Sequence, residues 1–173
     1  FLATVLGLGL FFVAGLMHVA FFRSSAKLVY LFSIILLIAV LFFGSTVKGT
    51  TGWFRVAGFS FQPAEFAKLA LVIFSAWWIS KQARRFDRWQ FILTSGFFTL
   101  VLAILIILQP DLGSALVLFG IWFGLLFLTG TKKRFIFSLI GIFLITSLVG
   151  WFFFFKPYQK ERLLTFVDPA RDP

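Results

Sequence analysis

Cysteine is absent from the 173-residue chain, which excludes a disulfide framework and any thiolate metal site or nucleophile. Histidine occurs once, at His18, which argues against a His-based zinc site. No GxGxxG or Walker loop is present, so nothing supports nucleotide binding. Acidic residues number six against sixteen lysines and arginines, and charged residues make up only 13% of the chain. Soluble domains carry about 25% charged and about 45–50% apolar residues. This chain is 61% hydrophobic with a mean hydropathy of +1.03, the composition of a membrane protein. A net charge of +10 in a soluble protein would suggest nucleic acid. In a membrane protein, loop lysines and arginines orient the spans and meet anionic headgroups of the membrane lipids, so no nucleic-acid partner is expected.

What remains is abundant: 28 phenylalanines and six tryptophans, suited to a lipid-facing surface with interfacial anchors. A hydrocarbon core about 30 Å thick needs roughly 20 apolar residues per helix. Six segments qualify or nearly do: residues 1–22, 28–43, 63–80, 89–108, 112–129 and 135–155. The second is short, so "FGSTV" is expected to prolong it. No long alternating pattern argues for a barrel. The predicted fold is therefore all-α: a polytopic membrane helix bundle over residues 1–155, followed by a loop over 156–173. Within that loop, residues 158–166 read as a short interfacial helix. The chain opens on Phe1 inside an apolar run, without a basic region, so its first segment is not read as a secretory signal. It is expected to be a fragment cut at both ends.

Charge then orients the bundle. Predicted loops at 23–27, 81–88 and 132–134 alternate with the others and hold nine of the sixteen basic residues. Only Asp87 accompanies them, for a net +8, whereas the opposite side nets +2. The positive-inside rule makes the first set cytoplasmic. Five of the six carboxylates (Glu65, Asp111, Glu161, Asp168 and Asp172) then fall outside.

Two stretches on that outer side echo one another, "SFQPAEFAKLALVIF" at 60–74 and "LQPDLGSALVLF" at 108–119. Each reads Gln-Pro, then an acid, then an apolar run. Proline suits a first helical position and an acid suits the first turn, so helix initiation alone can account for Pro63, Pro110 and Asp111. Glu65 is different, because Lys68 follows at i+3 on the same helix face. Charge one turn inside a membrane helix faces a partner or a cavity. An ion pair holding the bundle and a charged wall of an outward cavity are both open, and compatible. Before this pair lies a segment of about 20 residues rich in Gly, Ser, Thr and aromatics. In it Trp53 and Phe54 can seat the loop in the headgroups, while Arg55 has the planar fork that suits an oxyanion. The tail "KPYQKERLLTFVDPARDP" carries Arg162 and two Asp-Pro pairs, a turn signature in itself, on the same outer side.

Together, "FQPAEFAKLALVIF", "QPDLGSALVLF" and "KPYQKERLLTFVDPARDP" resemble the SEDS family, the RodA/FtsW/SpoVE group, in order and spacing over essentially the whole chain. The resemblance implies about ten spans in the full protein, with the second to seventh represented here. It also implies a peptidoglycan glycosyltransferase that polymerises lipid II, a disaccharide-peptide on undecaprenyl pyrophosphate. The implied partner is a class B penicillin-binding protein, at the bacterial plasma (inner) membrane, with the active face outside. The family's loop pattern falls on Asp168-Pro169-Ala170-Arg171-Asp172-Pro173. It makes Asp172 the expected catalytic aspartate and Asp168 the alternative. Glu65 and Lys68 fall on the Glu and Lys of the family's Gln-Pro-Ser-Glu motif, with Ala64 in place of Ser, and Asp111 falls on its Gln-Pro-Asp aspartate. Two departures stand out. Gly52-Trp53 replaces a frequent Arg-Trp, a charge that Arg55 can partly supply. The chain also stops before a Gly-x-Gly-Tyr-Gln segment and three further spans, so this fragment alone is expected to be inactive.

In that reaction an acceptor sugar hydroxyl attacks the donor anomeric carbon with inversion, and Asp172 takes the proton. Arg55 and Lys68, or a divalent cation (Mg or Mn) held by carboxylates, would steady the departing pyrophosphate. Two other classes stay open: a flippase for lipid-linked sugars, and a non-catalytic scaffold for a transpeptidase. A flippase needs charge along a whole crossing path, whereas the acids on these spans lie near the outer mouth. A scaffold predicts that the outer carboxylates can be neutralised without consequence.

Overall fold

The computed structural model describes residues 2–47, 49–56, 59–82 and 88–153. Six helices carry most of it: α1 (Leu2–Leu16), α2 (Val19–Phe43), α3 (Pro63–Ser80), α4 (Trp89–Ile107), α5 (Leu112–Leu128) and α6 (Lys133–Phe153). Between α2 and α3 lie three short strands, β1 (Ser45–Val47), β2 (Thr50–Val56) and β3 (Phe59–Phe61). Residues 1–130 form one compact unit and residues 131–173 a second.

Apolar residues surround each helix, so sequence periodicity hardly shows which face is buried; the spacing of small and polar residues does. On α2 the buried positions are Ala26, Tyr30, Ser33, Leu37 and Val40, alternating steps of four and three. That is the seam of helices packed at a shallow angle. Leu28, Leu31, Ile35 and Phe42 on the remaining surface are exposed, as expected of helices whose outer solvent is lipid. On α3 the seam is Ala64, Ala67, Ala70, Leu71 and Phe74; the alanines let neighbouring backbones approach closely. These meet Leu102, Ala103 and Ile106 of α4, and Ala115 and Leu118 of α5. Buried polar groups are matched within the seam. Tyr30 donates its hydroxyl hydrogen to the Phe98 carbonyl at 2.7 Å, and the Trp122 indole donates to Ser95 Oγ at 2.9 Å. Gly96 lies against that indole, where a Cβ would sit 3.0 Å from it. In the second unit, the Ser138 and Thr146 hydroxyls donate to carbonyls of α6 itself, which leaves its exterior apolar.

Tyr30 also stacks on Phe74, with ring centroids 4.3 Å apart. Tyr30→Phe should cost only about 0.6 kcal/mol, the average for an interhelical hydrogen bond in a membrane. Tyr30→Ala should cost about 3–5 kcal/mol through the lost ring. Thermal unfolding of the full-length protein in detergent reads both; equal losses would mean that the hydroxyl, not the ring, dominates.

Helices α2, α4 and residues 133–150 of α6 are long and apolar enough to cross a membrane; α5 is shorter at 17 residues. The structure departs from the sequence expectation at three places. First, residues 23–27 are not a loop: α2 runs through them for 25 residues, roughly 37 Å at 1.5 Å per residue. The hydroxyls of Ser24 and Ser25 both donate to the Phe21 carbonyl, so the polar residues satisfy themselves without breaking the helix. The chain breaks earlier, at Met17–His18, where His18 is extended and caps α2; α1 is correspondingly only 15 residues long. Second, "FGSTV" does not prolong the helix. Gly44 closes α2 with its N–H on the Val40 carbonyl at 2.8 Å, and Ser45 begins a strand. Third, the long loop is a three-stranded antiparallel sheet in the order β1-β2-β3. Its first turn uses Gly49 at φ +82, a conformation glycine adopts without steric cost. The predicted interfacial helix at 158–166 lies outside the described residues.

Candidate functional site

The starts of α3 and α5 carry four of the polar residues in the two Gln-Pro-acid stretches: Gln62, Glu65, Lys68 and Asp111. Pro63 occupies the first position of α3, with Gln62 as its N-cap and Glu65 in the first turn. The second motif is built differently. Pro110 lies before α5, and Asp111 is the N-cap, accepting from the Ser114 N–H at 3.0 Å and the Ser114 hydroxyl at 2.8 Å. An aspartate that caps in this way satisfies one of the orphan donors of the first turn. Its Oδ2 also accepts from Gln62 Nε2 at 3.0 Å. The two Gln-Pro-acid motifs are therefore joined: the glutamine of the first holds the acid of the second. This ties the start of α3 to the start of α5.

Gln109 holds the other side of the junction. It is fully buried; its Nε2 reaches the Leu37 carbonyl at 3.4 Å, and its own carbonyl accepts from the Thr51 N–H at 3.3 Å. The sheet is thus pinned to the α4–α5 turn. Gly52 fits here because a Cβ would lie 3.0 Å from Gln109 Oε1, a buried oxygen with no hydrogen-bond partner among the described residues. The Gly-for-Arg departure at this position has a steric counterpart in that contact. Sequence reasoning missed both glutamines as structural residues; the repeated Gln before Pro was the available signal.

Lys68 Nζ donates to Glu65 Oε1 at 2.7 Å, the ion pair that i, i+3 spacing allows. Its halves differ in exposure: the Lys68 side chain is 18% exposed and Glu65 62%. The cation is sheltered and keeps two further N–H donors; the carboxylate is open. Arg55 is exposed on β2, in register with Ser60 of β3. Asp168 and Asp172 lie outside the described residues, which therefore bring together Glu65 with Lys68 and Gln62 with Asp111, but place no partner on Arg55. Among the described residues no group of three or more His, Asp or Glu could hold a metal ion. Glu65 is engaged by Lys68, and Asp111 by Ser114 and Gln62, so neither belongs to a ready cation site.

The whole chain, residues 1–173, matches the family model of the FtsW/RodA/SpoVE cell cycle proteins. It is similar to the probable peptidoglycan glycosyltransferase FtsW of Haemophilus influenzae, 39% identical over 150 residues, covering 84% of this chain and 36% of that protein. A protein of the same description from Tolumonas auensis is 41% identical over 145 residues, covering 80% and 36%. Among solved structures, a chain of a peptidoglycan synthase complex that coordinates polymerization and crosslinking superposes with a TM-score of 0.77 at 33% identity. That match covers 99% of this chain and 51% of that one. The rod shape determining protein RodA of Thermus thermophilus gives 0.69 at 34% identity, covering 84% and 48%. The chain spans about a third of the length of the curated relatives it matches.

Proposed function

The chain belongs to the FtsW/RodA/SpoVE family of cell cycle proteins, and from that premise we propose that its full-length protein polymerises lipid II into glycan strands. It is an integral membrane protein of polytopic helical fold. On this reading it sits in the bacterial plasma (inner) membrane, acts on the extracytoplasmic face, and works beside a class B penicillin-binding protein. The observation that carries the reading is the junction of the two Gln-Pro-acid motifs, with a sheltered Lys68 in the second turn of α3 beside it.

The chemistry divides among the residues as follows. An acceptor sugar hydroxyl attacks the anomeric carbon of the donor; the new C–O bond forms as the bond to the pyrophosphate breaks. Asp172 accepts the hydroxyl proton, a contribution of about 10²–10⁴ in rate for a positioned base. The pyrophosphate leaves with the electron pair and is met by cations. Lys68, held in place by Glu65, offers its remaining donors, and Arg55 offers a planar fork from the sheet. Asp111 is a positioning residue, since its oxygens already serve Ser114 and Gln62. A divalent cation, Mg or Mn, would be held by the loop carboxylates Asp168 and Asp172 and would supply further positive charge to the departing pyrophosphate.

The test is direct. Full-length protein in detergent, supplied with lipid II, should produce glycan strands visible as a ladder on a gel. Proteoliposomes that translocate lipid II while the same preparation forms no strands would replace this reading with the flippase. Normal growth after neutralising Asp111, Asp168 and Asp172 together, with the transpeptidase still co-purifying, would favour the scaffold.

A further inference from the structure

At the other end of α2 and α3, far along the helices from Glu65, two cations gather around one ring. Lys27 Nζ lies 5.0 Å from the Trp77 ring centroid and Lys81 Nζ 5.2 Å from it. Cation–π attraction holds each ammonium but neutralises neither. Beside the same ring is a groove of about 480 Å³ lined by Val19, Ala20, Arg23, Ser24, Trp77 and Lys81. The carboxylates of the described residues, Glu65 and Asp111, belong to α3's first turn and α5's N-cap, so neither serves this end. Asp87 lies outside the described residues, in a segment that also carries Arg84 and Arg85.

A second groove, of about 440 Å³, lies along the same helix pair and is lined by Leu28, Leu31, Phe32, Ile35 and Phe66. The spacing brings the two grooves onto a shared face of α3 and a shared stripe of α2, with Arg23 and Phe32 flanking that stripe on either side. Phe66 and Trp77 are eleven residues apart, three turns of α3. Ala20, Ser24, Leu28, Leu31 and Ile35 follow one stripe of α2 at steps of four, four, three and four. From Ala20 to Phe32 is about 18 Å at 1.5 Å per residue, close to one leaflet of a hydrocarbon core about 30 Å thick. A cationic groove and an apolar groove thus follow one another along the same helix pair.

We propose that this face of the α2–α3 pair holds one anionic glycerophospholipid, its phosphate among Arg23, Lys27 and Lys81 and an acyl chain along Leu28, Leu31, Ile35 and Phe66. The charge selects the headgroup, and the apolar groove further along the same helix pair selects a lipid over a free phosphate. The inference does not depend on the catalytic reading of the opposite end.

The test uses the full-length protein in detergent, exchanged into phosphatidylglycerol or phosphatidylcholine with the same acyl chains, with retained lipid counted by native mass spectrometry. Phosphatidylglycerol should be retained in clear preference. Each basic side chain near an anionic headgroup contributes about fivefold, so Lys27→Gln with Lys81→Gln should weaken retention on the order of twentyfold. Lys27→Arg with Lys81→Arg should retain it, because the charge survives, and this pair also shows that changes at these positions leave the protein folded. Equal retention of the two lipids overturns the proposal, as does undiminished phosphatidylglycerol in the double glutamine variant. Displacement by glycerol phosphate alone, at concentrations comparable to the lipid, would show a phosphate site and overturn the lipid.

Discussion

Asp172→Ala in the full-length protein is expected to abolish glycan formation from lipid II, a fall of at least about 10²–10⁴ in rate. A sugar hydroxyl is a poor nucleophile at neutral pH, and its proton must go to a positioned base as the C–O bond forms. No carboxylate of the described residues is placed to do this. Asp111 is consumed by Ser114 and Gln62, and Glu65 is engaged by a cation that the leaving group needs. The family resemblance implies that the base lies in the Asp-Pro loop, with Asp172 as the first choice and Asp168 the second. Asp172→Asn should fall as far as Asp172→Ala, because an amide cannot take the proton, while Asp168→Ala should retain measurable strands. A ladder of normal length from Asp172→Ala, with none from Asp168→Ala, would exchange the two roles.

The second large effect is expected at Asp111, and there the two substitutions should part. Asp111→Asn keeps one side-chain oxygen for the Ser114 N–H and turns its NH2 towards Gln62, which can answer by presenting Oε1 in place of Nε2, so most activity should remain. Asp111→Ala removes the N-cap of α5, about 1 kcal/mol. It also orphans the Gln62 amide, about 1–3 kcal/mol if that group stays dry. With the starts of α3 and α5 released from each other, activity should drop more than tenfold, and the melting temperature should drop with it. If Asp111→Asn were as inactive as Asp111→Ala while melting like the unaltered protein, Asp111 would be acting through its charge on the substrate.

Pro63 made α3 legible in the sequence, because proline at the head of an apolar run fits the first helical position, where its missing N–H costs nothing. Glu65 and Lys68 were legible for the same kind of reason: three residues apart on a helix, they can meet, and they do at 2.7 Å. The sheet over residues 45–61 was not. Two of its strands are three residues long, too short for alternation to register, and glycines at 44, 49 and 52 read as loop. The passage of α2 through Arg23 and Lys27 was hidden because charge was taken as a boundary. Long cationic side chains instead keep their stems on the helix and carry their heads to polar surroundings. The link from Gln62 to Asp111 spans 49 positions. Local pattern carries no information at that range, apart from the hint that the same Gln-Pro-acid order occurs twice.

That link also constrains how the protein is made. Chains are synthesised from the N-terminus at about 5–20 residues per second, so Gln62 emerges several seconds before Asp111 exists. During that interval α3 must sit in the membrane with the Gln62 side-chain amide answered by water or headgroups rather than by protein. The arrival of α5 supplies the missing acceptor and joins the starts of the two helices in one step. Nascent chains stalled so that residues up to 110, or up to 128, have left the ribosome should therefore differ sharply in protease sensitivity of the sheet, with α3 already inserted in both.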